Sequence, residues 1–460
     1  MYNGADTIAA ISTPPGKGGV ALIRVSGPQA TEFAARCVAL RNGQALSSLP
    51  PRHLSYADVL YEGEPIDDVL VSRFAAPHSY TGEDTVEITC HGGVLITRTV
   101  LAALFAAGAR QAEAGEFTRR ACLNGRLSLT DAEGIGAVLE AKSVAQLRLS
   151  AAASRSRLSR TLSELHDDAL SLMGALYARI DYPEEDLSDL SLEETVGRLR
   201  ALRDRMRDLL STYRTGRAIN EGIPTVLCGA PNVGKSSLYN RLCGEDLAIV
   251  TDTAGTTRDV LTATFPLGRV LLHLCDTAGL RDTTDPVERI GVARSRARME
   301  ESELILAVFD GSRAPEDEDC TLIADLMQHG GCVIALCNKA DLPANPQMTA
   351  ALAVFPHVLP VSAVSGAGLD ALRALVEDLF TDGAIDARDT AVVTSARQEA
   401  ALRRALAHTE ESLSAFAAGY PADVASSDLE RAIAALSELD GRTVNDEIVG
   451  EIFSHFCVGK

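Results

Sequence analysis

Gly229-Ala230-Pro231-Asn232-Val233-Gly234-Lys235-Ser236 sets two glycines, a lysine and a hydroxyl at the spacing GxxxxGK[ST]. Between a strand and a helix, such a stretch turns backbone N–H groups inward around phosphate oxygens. Lys235 then neutralises β- and γ-oxygens, and the Ser236 hydroxyl is a hard ligand for Mg²⁺. The bland alternative is a Gly-rich strand–helix turn. Downstream, Asp276-Thr277-Ala278-Gly279 offers a carboxylate that can hold Mg²⁺ through water and a Gly279 N–H that can meet a γ-phosphate. Asn338-Lys339-Ala340-Asp341 ends in a carboxylate able to accept from N1–H and the exocyclic amine of guanine. Adenine has no N1 proton, so the acceptor would be left unsatisfied at a cost of about 1–3 kcal/mol. Ser362, Ala363 and Val364 close the next apolar run and would add backbone contacts to the base.

Between the phosphate loop and Asp276 lies Thr253-Ala254-Gly255-Thr256-Thr257-Arg258-Asp259. A threonine there can ligate Mg²⁺ only while a γ-phosphate is present, which makes the segment a switch; Thr257 is the candidate. The order and spacing of these motifs imply a site that binds and hydrolyses GTP. Candidate contacts also include Ser237, Thr251 and Asp252. Leu280 follows Gly279 where Ras-like proteins place a water-orienting glutamine. Leucine cannot hydrogen-bond water, so another group must orient it and something must offset the transition-state charge.

Several weaker patterns have two readings each. Gly16-Lys17-Gly18-Gly19 is a plain turn after Pro14 and Pro15, or a second phosphate cradle. Glu83, Asp84 and Glu87 are the solvated face of an edge strand, or metal ligands. His91 beside Gly92 is a turn histidine or a catalyst. Arg198, Arg200, Arg203, Arg205 and Arg207 alternate with Asp204 and Asp208, as a solvated helix face or an RNA-binding stripe.

These groups need scaffolds to hold them. The chain has 460 residues, which predicts more than one domain, and its hydrophobic content of 46% excludes a disordered class. A formal charge of −20 repels nucleic acid on average, so any RNA contact needs a local basic patch or a partner. Ten cysteines without CxxC spacing read as reduced small hydrophobes. The start of the chain lacks a charged leader or apolar signal core, and no apolar run is long enough for a membrane span. Both predict a cytoplasmic protein.

Residues 1–125 alternate short β-runs with turns, then a helical pattern over Val94–Ala107, as in an α+β domain. Thr130-Asp131-Ala132-Glu133 has the form of a capping box opening a helical stretch to Ile180. Val196, Leu199, Leu202, Met206 and Leu209 mark one buried helix face. Residues 126–217 thus form one helical part and 386–460 a second. Between them, 218–385 alternates strands (Thr225–Cys228, Val270–Cys275, Leu304–Phe309, Cys332–Cys337, Val358–Ser362) with helices. That alternation predicts a doubly wound parallel α/β sheet inserted into a split helical domain.

The chain resembles the MnmE (TrmE) family of tRNA-modifying GTPases over essentially its whole length. The resemblance rests on Thr13-Pro14-Pro15-Gly16-Lys17-Gly18-Gly19, Tyr80-Thr81-Gly82-Glu83-Asp84, His91-Gly92-Gly93, Gly115-Glu116-Phe117-Thr118 and Leu123-Asn124-Gly125-Arg126. The nucleotide motifs and the terminal Cys457-Val458-Gly459-Lys460 complete it; Val458 departs from the family's usual isoleucine. The resemblance implies an N-terminal folate-binding domain that dimerises, a split helical domain and an inserted Ras-like G domain. It implies K⁺ held by Asn232 with Thr251, Thr253 and Thr256, and water oriented by Glu288. It also implies a homodimer working with an FAD-dependent MnmG-type partner in a heterotetramer or larger assembly. Together they would add an aminomethyl-type group to C5 of the wobble uridine of certain tRNAs. The carbon would come from a 5-formyl or 5,10-methylene tetrahydrofolate bound by Arg24, Glu87, Arg126 and Lys460, with Cys457 as a candidate catalytic thiol. Two other functions compete: a GTPase acting in ribosome assembly without folate, and a one-carbon enzyme merely regulated by its G domain.

Overall fold

The computed structural model describes residues 6–181, 191–245, 262–275, 299–300, 302–383, 385, 390–441, 452–453, 456 and 458–459. Two compact units divide the chain: Met1–Gly136 with Ser154–Asp167 and Ile433–Lys460, and Ala137–Ala153 with Asp168–Ala432.

In the first unit, β1 (Ile8–Ile11), β2 (Val20–Ser26), α1 (Ala30–Cys37), β3 (Val38–Leu40), β4 (Leu54–Tyr61), β5 (Glu64–Phe74) and β6 (Thr85–His91) lead into α2 (Val94–Ala107), β7 (Arg110–Gln111) and α3 (Glu116–Leu123). They build one sheet in the order β3-β4-β5-β6-β2-β1-β7. Period-2 alternation splits β2 between two faces. Ala21, Ile23 and Val25 enter the core under α1 and α2, while Ile8 and Ala10 of β1 pack with Phe117 on the other side. The turn after α2 needs Gly108, whose φ is +118°: a Cβ there would lie 2.8 Å from the Phe33 ring. α1 and α3 are each eight residues long, and the sequence pattern missed both.

α4 (Leu129–Glu140) opens two residues earlier than the Thr130 box implies. The reciprocal cap is Ser128 with Asp131: the Asp131 N–H donates to Ser128 Oγ, and the Ser128 N–H to Asp131 Oδ2. Thr130 is fully buried and spends its hydroxyl on the Leu439 carbonyl.

The second unit carries α5 (Val144–Ala153), α7 (Leu192–Ser211) and α8 (Tyr213–Asn220), after α6 (Arg157–Asp181), which begins in the first. Leu199, Leu202, Met206 and Leu209 of α7 are buried, as their spacing predicts, while Val196 is only half-buried and Thr195 takes the buried place in the first turn. There follow β8 (Ile223–Cys228), α9 (Lys235–Glu245), β9 (Thr262–Leu267), β10 (Val270–Cys275) and β11 (Leu304–Asp310). α10 (Asp317–Met327), β12 (Cys332–Asn338), α11 (Pro346–Leu352), β13 (Val358–Pro360) and α12 (Leu369–Phe380) complete the α/β part. α9 continues through Gly244. α13 (Ala396–Ala417) and α14 (Ala422–Asp440) return to helix. Thr409 of α13 packs on Met206 of α7, so helices from both flanks of the sheet region meet.

The sheet order is β13-β12-β11-β8-β10-β9. Its strands are parallel except β9, an antiparallel edge joined to β10 by a two-residue turn at Gly268 and Arg269. Every residue of β11 is buried, as a strand covered on both faces must be. Leu304, Leu306 and Val308 face Leu238, Leu372 and Val376. Ile305, Ala307 and Phe309 face Ile323, Leu326, Met348 and Leu352. β8 lies between β10 and β11, where strand order reverses, so the loop leaving β8 opens at the crevice that such sheets offer to ligands.

Candidate nucleotide-binding site

Two glycines shape the loop between β8 and α9. Gly229 has φ +154°, and a Cβ there would fall 2.3 Å from the Val308 carbonyl oxygen. Gly234 has φ +98°, with Asn338 Nδ2 2.3 Å from the same virtual atom. Asn232 holds φ +60° and is solvent-exposed, a conformation asparagine accepts more readily than most residues. Val233 anchors the loop in the core beside Leu238. The Lys235 ammonium donates to the carbonyls of Gly229 and Ala230 at 2.9 and 2.7 Å. Burial lowers its pKa. Ser236 and Ser237 stand exposed in the first turn of α9, where helix-end N–H groups favour anions.

Asn338 ties the loop to the base-side motifs. Its Nδ2 donates to the Val233 carbonyl at 2.8 Å, and its Oδ1 accepts from the Ala363 N–H at 3.1 Å. Asp341, at the surface just past β12, accepts from the Ser362 hydroxyl through Oδ1. Its Oδ2 has no protein donor among the described residues. Val364 is 77% exposed and Ala363 is buried, so the second base-side segment presents backbone and one apolar side chain. The 229–237 loop, Asn338, Lys339, Asp341 and 362–364 thus come together at one edge of the sheet.

Sequence reasoning missed Asp310. This carboxylate closes β11 directly beside Asn338 in the parallel register and meets Lys339 Nζ at 2.6 Å. Burial pushes its pKa up, but hydrogen bonds from Lys339 and Ser312 outweigh that and leave it lowered. Lys339 adopts φ +63°, so the pair fixes a side chain on a left-handed backbone. An acid ending the strand next to the Asn-Lys motif was the available signal.

Thr251, Asp252, Thr253, Ala254, Gly255, Thr256, Thr257, Asp276, Thr277, Ala278, Gly279, Glu288, Cys457 and Lys460 lie outside the described residues.

In the first unit, Arg24 and Glu87 face each other across β2 and β6, with Arg24 Nε 2.9 Å from Glu87 Oε1. The Arg24 guanidinium lies 5.1 Å from the centre of the Tyr80 ring and 5.6 Å from that of Phe117. Arg126 packs on Gly82, where a Cβ would meet its Cγ at 3.1 Å. Arg24 and Arg126 therefore border the same 80–82 loop. The tail docks nearby: Val458 bridges Ala114, and the Ser12 hydroxyl donates to the Gly459 carbonyl at 2.9 Å. Phe117 and the buried Arg120 also escaped sequence reasoning. Arg120 contacts Glu83, Asp6 and Glu116 at 3.1, 2.7 and 3.0 Å.

The acidic, histidine and arginine patterns largely find partners within the chain, and β6 is an inner strand between β5 and β2, not the edge strand expected of the acidic pattern. Glu83 binds Ser26 and Arg120, Asp84 caps the Ala76 N–H, and Glu87 pairs with Arg24. His91 binds Asp67 through both its ring and its backbone N–H. On α7, Arg198 bonds Ser171, Arg203 bonds Asp204, Arg205 bonds Asp168, and Arg207 bonds Glu410.

A Gly-bounded phosphate loop at a strand-order reversal, tied by Asn338 to the Ala363 backbone beside a carboxylate that can read guanine, defines a P-loop GTPase. Residues 7–126 match the GTP-binding protein TrmE N-terminus and residues 129–457 the MnmE helical domain. The tRNA modification GTPase MnmE of Heliobacterium modesticaldum is 41% identical over 466 residues, covering 99% of each chain. That of Symbiobacterium thermophilum is 42% identical over 461 residues, covering 99% of this chain and 100% of its own. This chain belongs to the MnmE (TrmE) family of tRNA modification GTPases. Among solved structures, Aquifex aeolicus Era bound to GDP and aluminium fluoride is 25% identical, covers 40% of this chain and 65% of its own, and gives a TM-score of 0.28. The G domain of T. maritima FeoB is 22% identical, covering 34% of this chain and 96% of its own, with a TM-score of 0.26. Among the described residues, no helix is long and apolar enough to cross a membrane.

Proposed function

We propose that this chain hydrolyses GTP at the 229–236 loop to drive modification of tRNA, adding an aminomethyl or carboxymethylaminomethyl group to C5 of the wobble uridine, U34. It acts as a cytoplasmic homodimer with an FAD-dependent MnmG-type partner. Its domains are 1–125 for folate and dimerisation, 126–217 and 386–460 for the split helical part, and 218–385 for the G domain.

Within that reading Lys235 neutralises β- and γ-oxygens, Ser236 and Thr257 hold Mg²⁺, and Asp341 selects guanine. Asn232, Thr251, Thr253 and Thr256 hold K⁺, and Glu288 orients the attacking water. Arg24, Glu87, Arg126 and Lys460 hold a tetrahydrofolate derivative, and Cys457 is the candidate catalytic thiol. The donor set suits such a ligand. Tyr80 offers a part-exposed ring beside one carboxylate, which can accept ring N–H groups, and one guanidinium, seated over the buried Phe117, which can meet a carboxylate tail. When bound, the folate supplies the one-carbon unit; the protein's groups orient it and shield it from water.

The observation that supports the reading is the presence in one chain of the Asp341 carboxylate beside the phosphate loop's Asn338 brace and of a separate Arg24–Glu87 pair beside the Tyr80 ring. Mass spectrometry of wobble uridines in a strain lacking the protein, rescued with native or tail-truncated chain, tests it. Removing Cys457–Lys460 should abolish the modification while GTP turnover survives. Loss of both would contradict the division of labour.

A further inference from the structure

The Gly16–Gly19 turn has no part in the reading above, yet it borders a cavity of about 530 Å³ between the β1–β2 end of the sheet and the first turns of α2. The volume is that of a small-molecule or single-nucleotide pocket. Ile11, Val20, Val94 and Leu101 give it apolar walls, and Lys17 and Arg98 supply charge. No acidic residue lines it, in a chain with 63 acidic and 43 basic side chains. Among the described residues neither Lys17 nor Arg98 has an ion-pair partner, and the Gly16 and Lys17 N–H groups have no protein acceptor. The turn is laced to the strand end by the Gly18 N–H on the Gly92 carbonyl at 2.7 Å, so these donors are held in place. The wall facing them includes Val20 and Val94, 66% and 45% exposed.

We propose that this cavity docks one nucleotide of an RNA strand, its phosphodiester on Lys17, Arg98 and the 16–17 N–H groups and its base against the apolar wall. The inference rests on the tRNA reading above. With a net charge of −20 the chain can hold RNA only where cations are locally uncompensated, and four of the five α7 arginines, Arg198, Arg203, Arg205 and Arg207, are already matched by acids or a hydroxyl, which leaves Arg200 isolated among them. Unstacked nucleotides suit such a pocket because RNA is read mainly through bases splayed out of the helix. The site lies on the α2 face of the sheet. Ala21 lines it, and Arg24, at the alternate register of β2, is not among its lining residues.

The test compares native chain with the Lys17→Ala/Arg98→Ala double variant, binding an unmodified tRNA transcript by fluorescence anisotropy from 50 to 300 mM salt. Both side chains are exposed, so the variant should melt at the native temperature. Expected are roughly tenfold weaker tRNA binding at low salt, a salt slope smaller by about one to two, and unchanged GTP turnover. A 4-thiouridine crosslink should map to residues 13–21 in native chain and vanish in the variant. Equal affinity and slope would overturn the site alone, whereas failure of native chain to bind tRNA would count against the tRNA reading itself. Unchanged tRNA binding with weaker binding of a polyglutamyl folate would assign the cavity to a carboxylate tail and overturn the RNA proposal.

Discussion

Asn338 and Asp341 divide the work of one short motif. Asn338 spends both ends of its amide on backbone, bracing the phosphate loop against the 363 segment, while Asp341 leaves Oδ2 without a protein donor among the described residues. Changing Asp341→Asn therefore should leave the scaffold intact and invert base preference. Xanthine carries a carbonyl where guanine carries its exocyclic amine, and an amide can donate to it. GTP binding should weaken about tenfold or more, the value of one buried unsatisfied group, while XTP binding improves. Competition against a fluorescent guanine nucleotide measures this; an undiminished preference for GTP would remove Asp341 from base recognition. Gly234 offers a second, steric test. Gly234→Ala places a methyl 2.3 Å from Asn338 Nδ2 on a backbone at φ +98°, so the loop must open or Asn338 must leave. Nucleotide affinity should fall at least tenfold while the helical circular dichroism is retained.

At the scale of elements, legibility followed burial. β8, β10, β11 and β12 were visible as apolar runs because a parallel strand covered on both faces has no polar register. The α7 stripe was visible because Leu199, Leu202, Met206 and Leu209 keep helical spacing. α1 and α3 were not, since two turns hold too few residues for a period to emerge, and α3 buries Glu116 and Arg120 where apolar residues would be expected. Thr130 was misread for a related reason: its buried hydroxyl finds a partner more than 300 residues away, leaving Ser128 as the cap. The nucleotide site was legible because its motifs are local, whereas Asp310 acts through a neighbouring strand. The α3 charges make a prediction. Burial raises the Glu116 pKa, but hydrogen bonds from Arg110, the Glu113 N–H and Arg120 outweigh it and bring it to about 2 from 4.5. A lowered carboxyl pKa stabilises the fold above the unfolded value and loses that contribution as pH falls through the folded one. Unfolding stability should thus drop by about 3 kcal/mol between pH 4.5 and 2 from this residue. Glu116→Gln should be less stable at pH 7, leaving two arginines short of a partner, and should show a shallower acid slope in urea melts. An equally steep slope would clear Glu116 of the acid sensitivity.

For the whole molecule, the question is where the positive charge for hydrolysis comes from. Acidic side chains outnumber basic ones by 63 to 43, so few cations are spare. Within residues 229–237 Lys235 is the single cation, and Lys339 is committed to Asp310. Leu280 supplies no polar group where Ras-like proteins keep a glutamine. A transition state that gathers charge on phosphate oxygens therefore calls for a further cation, and a monovalent ion beside the exposed Asn232 would provide it without an arginine from another protein. GTP turnover should then be at least tenfold faster in K⁺ than in Na⁺ at matched ionic strength, with nucleotide affinity nearly unchanged. Asn232→Ala should flatten that difference by lowering the K⁺ rate alone. Equal native rates in the two salts would remove a K⁺-specific ion from this role.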